Sequence, residues 1–374
     1  MAERQIGLRA LARQVPCNPG YLSKVSRDLK LPSADVAARL DDILDADGAL
    51  VDARDRGPGL GPDGDLDAER LRYVQRYPMR IDAALVDGLA ATLASQRRLE
   101  DVVGSAAVLG AAAAHLGMVL RLLRDARGPQ VRRLTAVASE ASQFNGWLNT
   151  SVGAHEKAGP LYDQALRLGM QAGDDDLAAT ALSMRGHLAW VSGDFGDMAG
   201  LSEAAAGMAT AVGTRTVAMQ QRGRALALLG ERQDALRAVG EAEENLACGS
   251  GEDDPDGLYF YGAELLTMQR GLILAYLGDH AAAADVIDSS FAALPEPIRD
   301  SGWIAWYRAQ GARARAAAGD VDAAAAGLLE TLPVVDATEA VKARAEIVGV
   351  WRKMTERWPG RASVVELGEA LRHR

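Results

Sequence analysis

Five stretches of this chain share one design. They are "WLNTSVGAHEKAGPLYDQAL" (147–166), "LAWVSGDFGDMAGLSEAA" (188–205), "LALLGERQDALRAVGEA" (226–242), "LAYLGDHAAAADVIDSS" (274–290) and "ARAAAGDVDAAAAGLLE" (314–330). Each holds a helical run, a Gly followed by a polar turn, and small residues opening a second helical run. The turn glycines are Gly153, Gly193, Gly230, Gly278 and Gly319, separated by 40, 37, 48 and 41 residues. A period near forty with two helices per unit predicts hairpins stacked side by side, because no single hairpin can bury its own apolar face. The glycine supplies the left-handed residue that ends each first helix. The alanines after it let the second helix approach the first closely. The longest interval contains "CGSGEDDPDG" (248–257), a loop insertion. Aromatic residues make up only 5% and Ala and Leu dominate, which favours helix over strand. The fold class expected is therefore all-α, a helical-hairpin solenoid.

The repeats resemble the tetratricopeptide repeat, whose period is about 34; the surplus goes to longer loops. Residues 65–135 have a helical pattern and read as irregular leading hairpins. Helices around 336–357 and 363–372 read as the cap of the array. Residues 51–64, "VDARDRGPGLGPDG", lack periodicity and read as a linker. The organisation expected is a head over 1–50, a linker over 51–64 and a repeat domain over 65–374.

The head has its own logic. Leu8, Leu11, Ala12 and Val15 fall on one helical face. Asn18 followed by Pro19 is a helix start, with an Asn cap and Pro at the first helical position. Leu22 and Val25 make the apolar stripe of that second helix, and residues 34–44, "ADVAARLDDIL", form a third amphipathic one. Residues 1–40 hold seven basic and three acidic side chains, a net +4, which leaves −14 on the remainder of a chain whose total is −10. An acidic body repels nucleic acid and a small basic head does not.

These segments, with Ala12 small at the helix crossing, Cys17 in the turn and Leu22 and Val25 inside, resemble the helix-turn-helix of phage-repressor-like (XRE-type) transcriptional regulators. With "LVDGLAATLASQRRLEDVVG" (85–104) and "YGAELLTMQRGLILAYLGDH" (261–280), the chain resembles a group common in GC-rich Gram-positive bacteria that joins such a head to a tetratricopeptide-like body. Three features depart from the pattern. The family's first helix has only seven residues before Leu8 to occupy, so the head reads as N-terminally truncated. Pro16 stands where Gly is usual, and Ser26 where an acidic residue is usual. The resemblance implies that Asn18, Tyr21, Ser23 and Lys24 meet bases of a double-stranded DNA operator, and that Arg9, Arg13, Arg27 and Lys30 meet phosphates. A head with so little charge binds weakly, so a homodimer on a two-fold operator is expected.

A solenoid offers a concave groove lined by the first helix of each hairpin. The groove candidates are Gln143, Asn149, Arg185, His187, Gln220, Arg224, Glu264, Gln269, Trp303, Trp306 and Arg308. Trp303 and Trp306 sit at a spacing that suits either groove or core. Arg185 and His187, two apart, cannot both face the core. The architecture also resembles the peptide-pheromone receptors of Gram-positive bacteria, which implies a signal peptide or small partner protein in the groove. The alternative is a protein-interaction scaffold whose head no longer reads DNA.

Other signals carry little. "GLGPDG" (59–64) fits a dinucleotide fingerprint but follows no strand and sits among aspartates. "DGDLDAE" (63–69) lacks the glycine and glutamate of a calcium loop. The five histidines have no second ligand at metal spacing, and the two cysteines, Cys17 and Cys248, make no disulfide framework. No catalytic residue, cofactor or metal is expected. The apolar segment 102–120 reads as a buried or amphipathic helix, not a membrane span. With no secretory signal, the expected location is the cytoplasm.

Overall fold

In the computed structural model the chain divides into two compact units, Met1–Tyr73 and Val74–Arg374. The structure describes residues 11, 14, 15, 22, 25, 34–44, 46, 48, 50 and 51 of the first, and 81–249, 254–294 and 296–372 of the second. No strand occurs among them.

In the first unit, α1 (Ala34–Leu44) covers the stretch the sequence marked as amphipathic. Its Leu40 is buried with Leu11, Val15 and Leu22, so the apolar stripes of the three segments meet in one small core. The Asp41 carboxylate, itself buried, accepts from the Gly48 and Leu50 amides at 2.5 and 2.7 Å and ties down the chain after the helix. The eight DNA-contact candidates, Asn18, Tyr21, Ser23, Lys24, Arg9, Arg13, Arg27 and Lys30, lie outside the described residues.

The second unit is a stack of antiparallel helical hairpins. The first helices of successive hairpins are α2 (Ala83–Val103), α4 (Val131–Ser151), α6 (Asp175–Val191), α8 (Val212–Leu228), α10 (Ala263–Tyr276), α13 (Gly302–Ala318) and α15 (Val341–Arg357). Their partners are α3 (Ser105–Asp125), α5 (His155–Ala172), α7 (Phe195–Met208), α9 (Arg232–Cys248), α11 (His280–Ala293), α14 (Val321–Ala337) and α16 (Ala362–Arg372); a short α12 (Glu296–Arg299) precedes α13.

The expected turn glycines do what the pattern required. At Gly193, φ is +82°, its amide bonds to the Trp190 carbonyl, and the next amide reaches back to Ala189. This paired closure of a helix end recurs at the other four turn glycines. Asp194 and Asp320 then cap the second helices of their hairpins, each accepting from a backbone amide three residues on.

A second glycine register takes its meaning from the fold. Gly146, Gly186, Gly223 and Gly271 sit seven residues before their turn glycines and Gly311 sits eight before, each where the first helix crosses its neighbour. A Cβ on Gly223 would stand 3.1 Å from the Ala235 carbonyl oxygen, and one on Gly271 2.6 Å from Ile287.

The segment 102–120, read from sequence as one helix, is divided between α2 and α3. Gly104, at φ +82°, makes the break. Among the described residues α3 is the one helix long and apolar enough to cross a membrane. Its Val108, Ala112 and Leu116 are buried with Leu93 of α2 and Ala141, Phe144 and Leu148 of α4.

Candidate functional site: an aromatic-walled cavity on the concave face

The groove does not stay open. Asp101, near the end of α2, accepts hydrogen bonds from the Tyr259 hydroxyl and, at 3.0 Å, from the Trp303 indole N–H. These partners lie 158 and 202 residues further along the chain. Arg98 stacks 4.9 Å over the Tyr259 ring. Gly104 lies so close to the Thr338 carbonyl that a side chain there would collide with it. The first hairpin thus meets the segment before α10, the start of α13 and the turn after α14, and the array closes around a cavity of about 310 Å³.

Aromatic rings wall this cavity. Phe144, Trp147, Trp190, Tyr259, Phe260, Tyr261, Trp303, Trp306 and Tyr307 all line it, half of the eighteen Phe, Trp and Tyr residues in the chain. With His187 they form a chain of ring contacts. Trp147 meets His187 at 5.8 Å, His187 meets Trp190 at 5.1 Å, and Trp190 meets Trp306 edge-on at 5.3 Å. Trp306, Tyr307, Trp303 and Phe260 continue it in edge-to-face contacts, a geometry that orders the rings as well as burying them.

Two cations line the cavity, Arg224 buried and Lys342 half-buried. Arg224 of α8 is 1% exposed. Its guanidinium lies 4.4 Å over the Trp190 ring, and one nitrogen approaches His187 Nδ1 at 3.3 Å. Its Nε has no hydrogen-bond partner, and among the described residues no carboxylate pairs with it. Lys342 of α15 holds its ammonium 4.1 Å from Trp190 and 5.0 Å from Trp306. Burial, and then the neighbouring Arg224 charge, push Lys342 down to about 7, against a smaller opposing pull from Glu346. Glu346 itself is paired with Arg313. Burial holds His187 well below its ordinary range, helped by both cations, so its imidazole is neutral at pH 7.

Acidic groups stand at the seam. Glu100 is pushed up to about 7 by burial, although Ser105 and Trp147 donate to it. Burial also raises Asp101. Buried oxygens of Gln220, Gln221 and Gln269 and the Tyr261 hydroxyl line the cavity without hydrogen-bond partners. Glu339, at the rim, has φ +49° and occupies the helix-ending position that glycine takes in the hairpin turns. A side chain there costs roughly 1–2 kcal/mol of backbone strain.

Of the groove candidates, Gln143, His187, Gln220, Arg224, Gln269, Trp303 and Trp306 line the cavity. Asn149, Arg185, Glu264 and Arg308 do not. Asn149 bonds within α4 at the Asn145 carbonyl, Arg185 pairs with Asp163 at 3.1 Å, Glu264 is exposed, and Arg308 lies 4.0 Å over Phe291. Three of them are two positions from a cavity residue, and two positions turn a helix by about 200°. Sequence reasoning missed Trp147, Trp190, Tyr307, Lys342 and the seam. The signal for Trp147 was the second glycine register: the residue after Gly146, Gly186 and Gly223 is in each case a cavity residue, Trp147, His187 or Arg224.

Among the described residues no group of three His, Cys, Asp or Glu side chains is placed to hold a metal ion. No family model matches the chain, and no curated protein matches it. Among solved structures, it is similar to BtubC (BKLC) from P. vanneervenii at 18% identity, over 62% of this chain and 91% of that one, with a TM-score of 0.42. A likeness at that level carries no argument about function.

Proposed function

We propose that this protein is a ligand-responsive transcriptional regulator, in which the basic head reads an operator and the repeat domain takes the signal. The observation that carries the sensing half is the cavity itself. Leaving a guanidinium buried without an anionic partner costs several kcal/mol, and a chain that needed only packing would place an apolar residue there. The DNA-binding half rests on the helix-turn-helix pattern of residues 8–44. A cavity of about 310 Å³, at the small end of ligand sites, suits a compact molecule better than an extended peptide or partner protein. The regulator acts in the cytoplasm, as a homodimer, since one head with a net +4 gains too little from phosphates alone.

The test is fluorescence anisotropy of the full chain on DNA from its own upstream region, beside a scrambled duplex, over a salt series. The expected result is selective binding that weakens with salt and is lost in Lys24→Ala. Equal binding to both duplexes, or none at low salt from folded protein, favours the scaffold reading instead.

A further inference from the structure

We propose that the cavity ligand is a small anion carried on a flat apolar body, with its carboxylate or phosphate held by Arg224 and Lys342 and its ring against Trp190 and Trp306. The inference rests on reading the repeat domain as the ligand-binding part and adds the chemistry of what enters.

Three independent features converge on it. The first is charge. Arg224 has an unpartnered Nε and, among the described residues, no carboxylate partner, while Lys342 points at the same indole, Trp190, from a different helix. Two like charges on one ring repel each other, and among the groups around them His187 is neutral and Glu346 is committed to Arg313. An anion between them supplies what the protein does not. The second is shape. The Trp190–Trp306 edge contact and the Phe260–Trp303 contact leave ring faces and edges as walls, which suit a planar guest. The third is the pair of Gln220 and Gln221 side-chain amides on the cavity wall, whose oxygens have no hydrogen-bond partner among the described residues and whose N–H groups are donors that an anion can use. Lys342, held near 7 by burial and by the Arg224 charge, gains its proton fully once an anion sits beside it, so binding takes up a proton around neutral pH.

The experiment is isothermal titration of the full-length protein with 2-naphthoate, 2-naphthyl phosphate, the uncharged 2-naphthamide, and acetate as an anion without a ring. At least one of the two ring-bearing anions should bind about tenfold or more tightly than the amide, which lacks the charge-assisted hydrogen bond, and than acetate, which lacks the buried ring. Arg224→Met should abolish that preference without lowering the thermal midpoint of the free protein, because it removes an uncompensated buried charge. The inference is overturned if the amide binds as well as the anions, or if Arg224→Met keeps the preference. Binding of uncharged rings alone would leave a ligand site without an anion requirement, so the regulator reading survives while this one fails. If none of the probes binds at millimolar concentration, the anion inference falls, and the DNA measurement decides the regulator reading separately.

Discussion

Lys342 and Glu100 put opposite slopes on the stability of the repeat domain. Lys342 falls from its ordinary value to about 7 on folding, chiefly through burial. Between about 7 and its ordinary value the unfolded chain therefore holds a proton that the folded one lacks, and stability rises with pH across that window. Glu100 moves the other way, from the carboxylate range up to about 7, again through burial. Below about 7 the folded chain holds the extra proton, so stability falls as pH climbs from the carboxylate range to neutrality. Together the two groups place a minimum near pH 7. Urea midpoints measured from pH 5 to 10 should show Lys342→Met flattening the alkaline limb and Glu100→Gln flattening the acid one. An unchanged alkaline limb in Lys342→Met would mean that the ammonium is solvated, contrary to its position over two indoles. None of this was readable from sequence, since the burial that shifts Lys342 and Glu100 is completed by helices far away in the chain.

Hairpin packing separates glycines that look alike in sequence. Gly169, in α5, lies where a Cβ would stand 2.8 Å from the Ala178 backbone nitrogen at the start of α6, and backbone cannot step aside. Gly240, inside α9, has open space around it. Gly169→Ala should cost about 1–3 kcal/mol through overpacking, whereas Gly240→Ala should gain up to about 1 kcal/mol through helix propensity. Chemical denaturation of the two variants checks the pair, and equal effects would contradict the crossing geometry. The turn glycines were legible because a left-handed helix end leaves a recurring Gly followed by a polar residue. The closure was not, because Asp101, Gly104 and Thr338 carry no local signal; they matter through one contact seam between distant repeats. The cavity was half legible. His187, Gln220 and Arg224 stood out as polar residues on first helices, while Trp147 and Trp190 were not among the candidates.

In the repeat domain as a whole, an open solenoid and a closed one differ in what holds them together. A linear array is stabilised by neighbours only, so each hairpin contacts the next and no interaction spans the stack. Here the Asp101 carboxylate joins α2 to Tyr259 and Trp303, and these same residues wall the cavity. Opening the seam therefore opens the site, and a ligand that touches both sides must strengthen the seam by the amount the seam strengthens binding. Asp101→Asn is the probe. An amide keeps the size of the carboxylate but removes its charge, so two charge-assisted hydrogen bonds become neutral ones, at a cost of roughly 1–3 kcal/mol. Hydrogen exchange should then speed up at residues 257–261 and 302–307, with the interior of α4 to α9 unchanged because its packing is local. Adding whichever naphthyl anion binds should raise protection at the seam in the native protein and do so less well in the variant. Uniform loss of protection across every hairpin would instead show that Asp101 supports the whole stack, and uncouple the seam from the ligand.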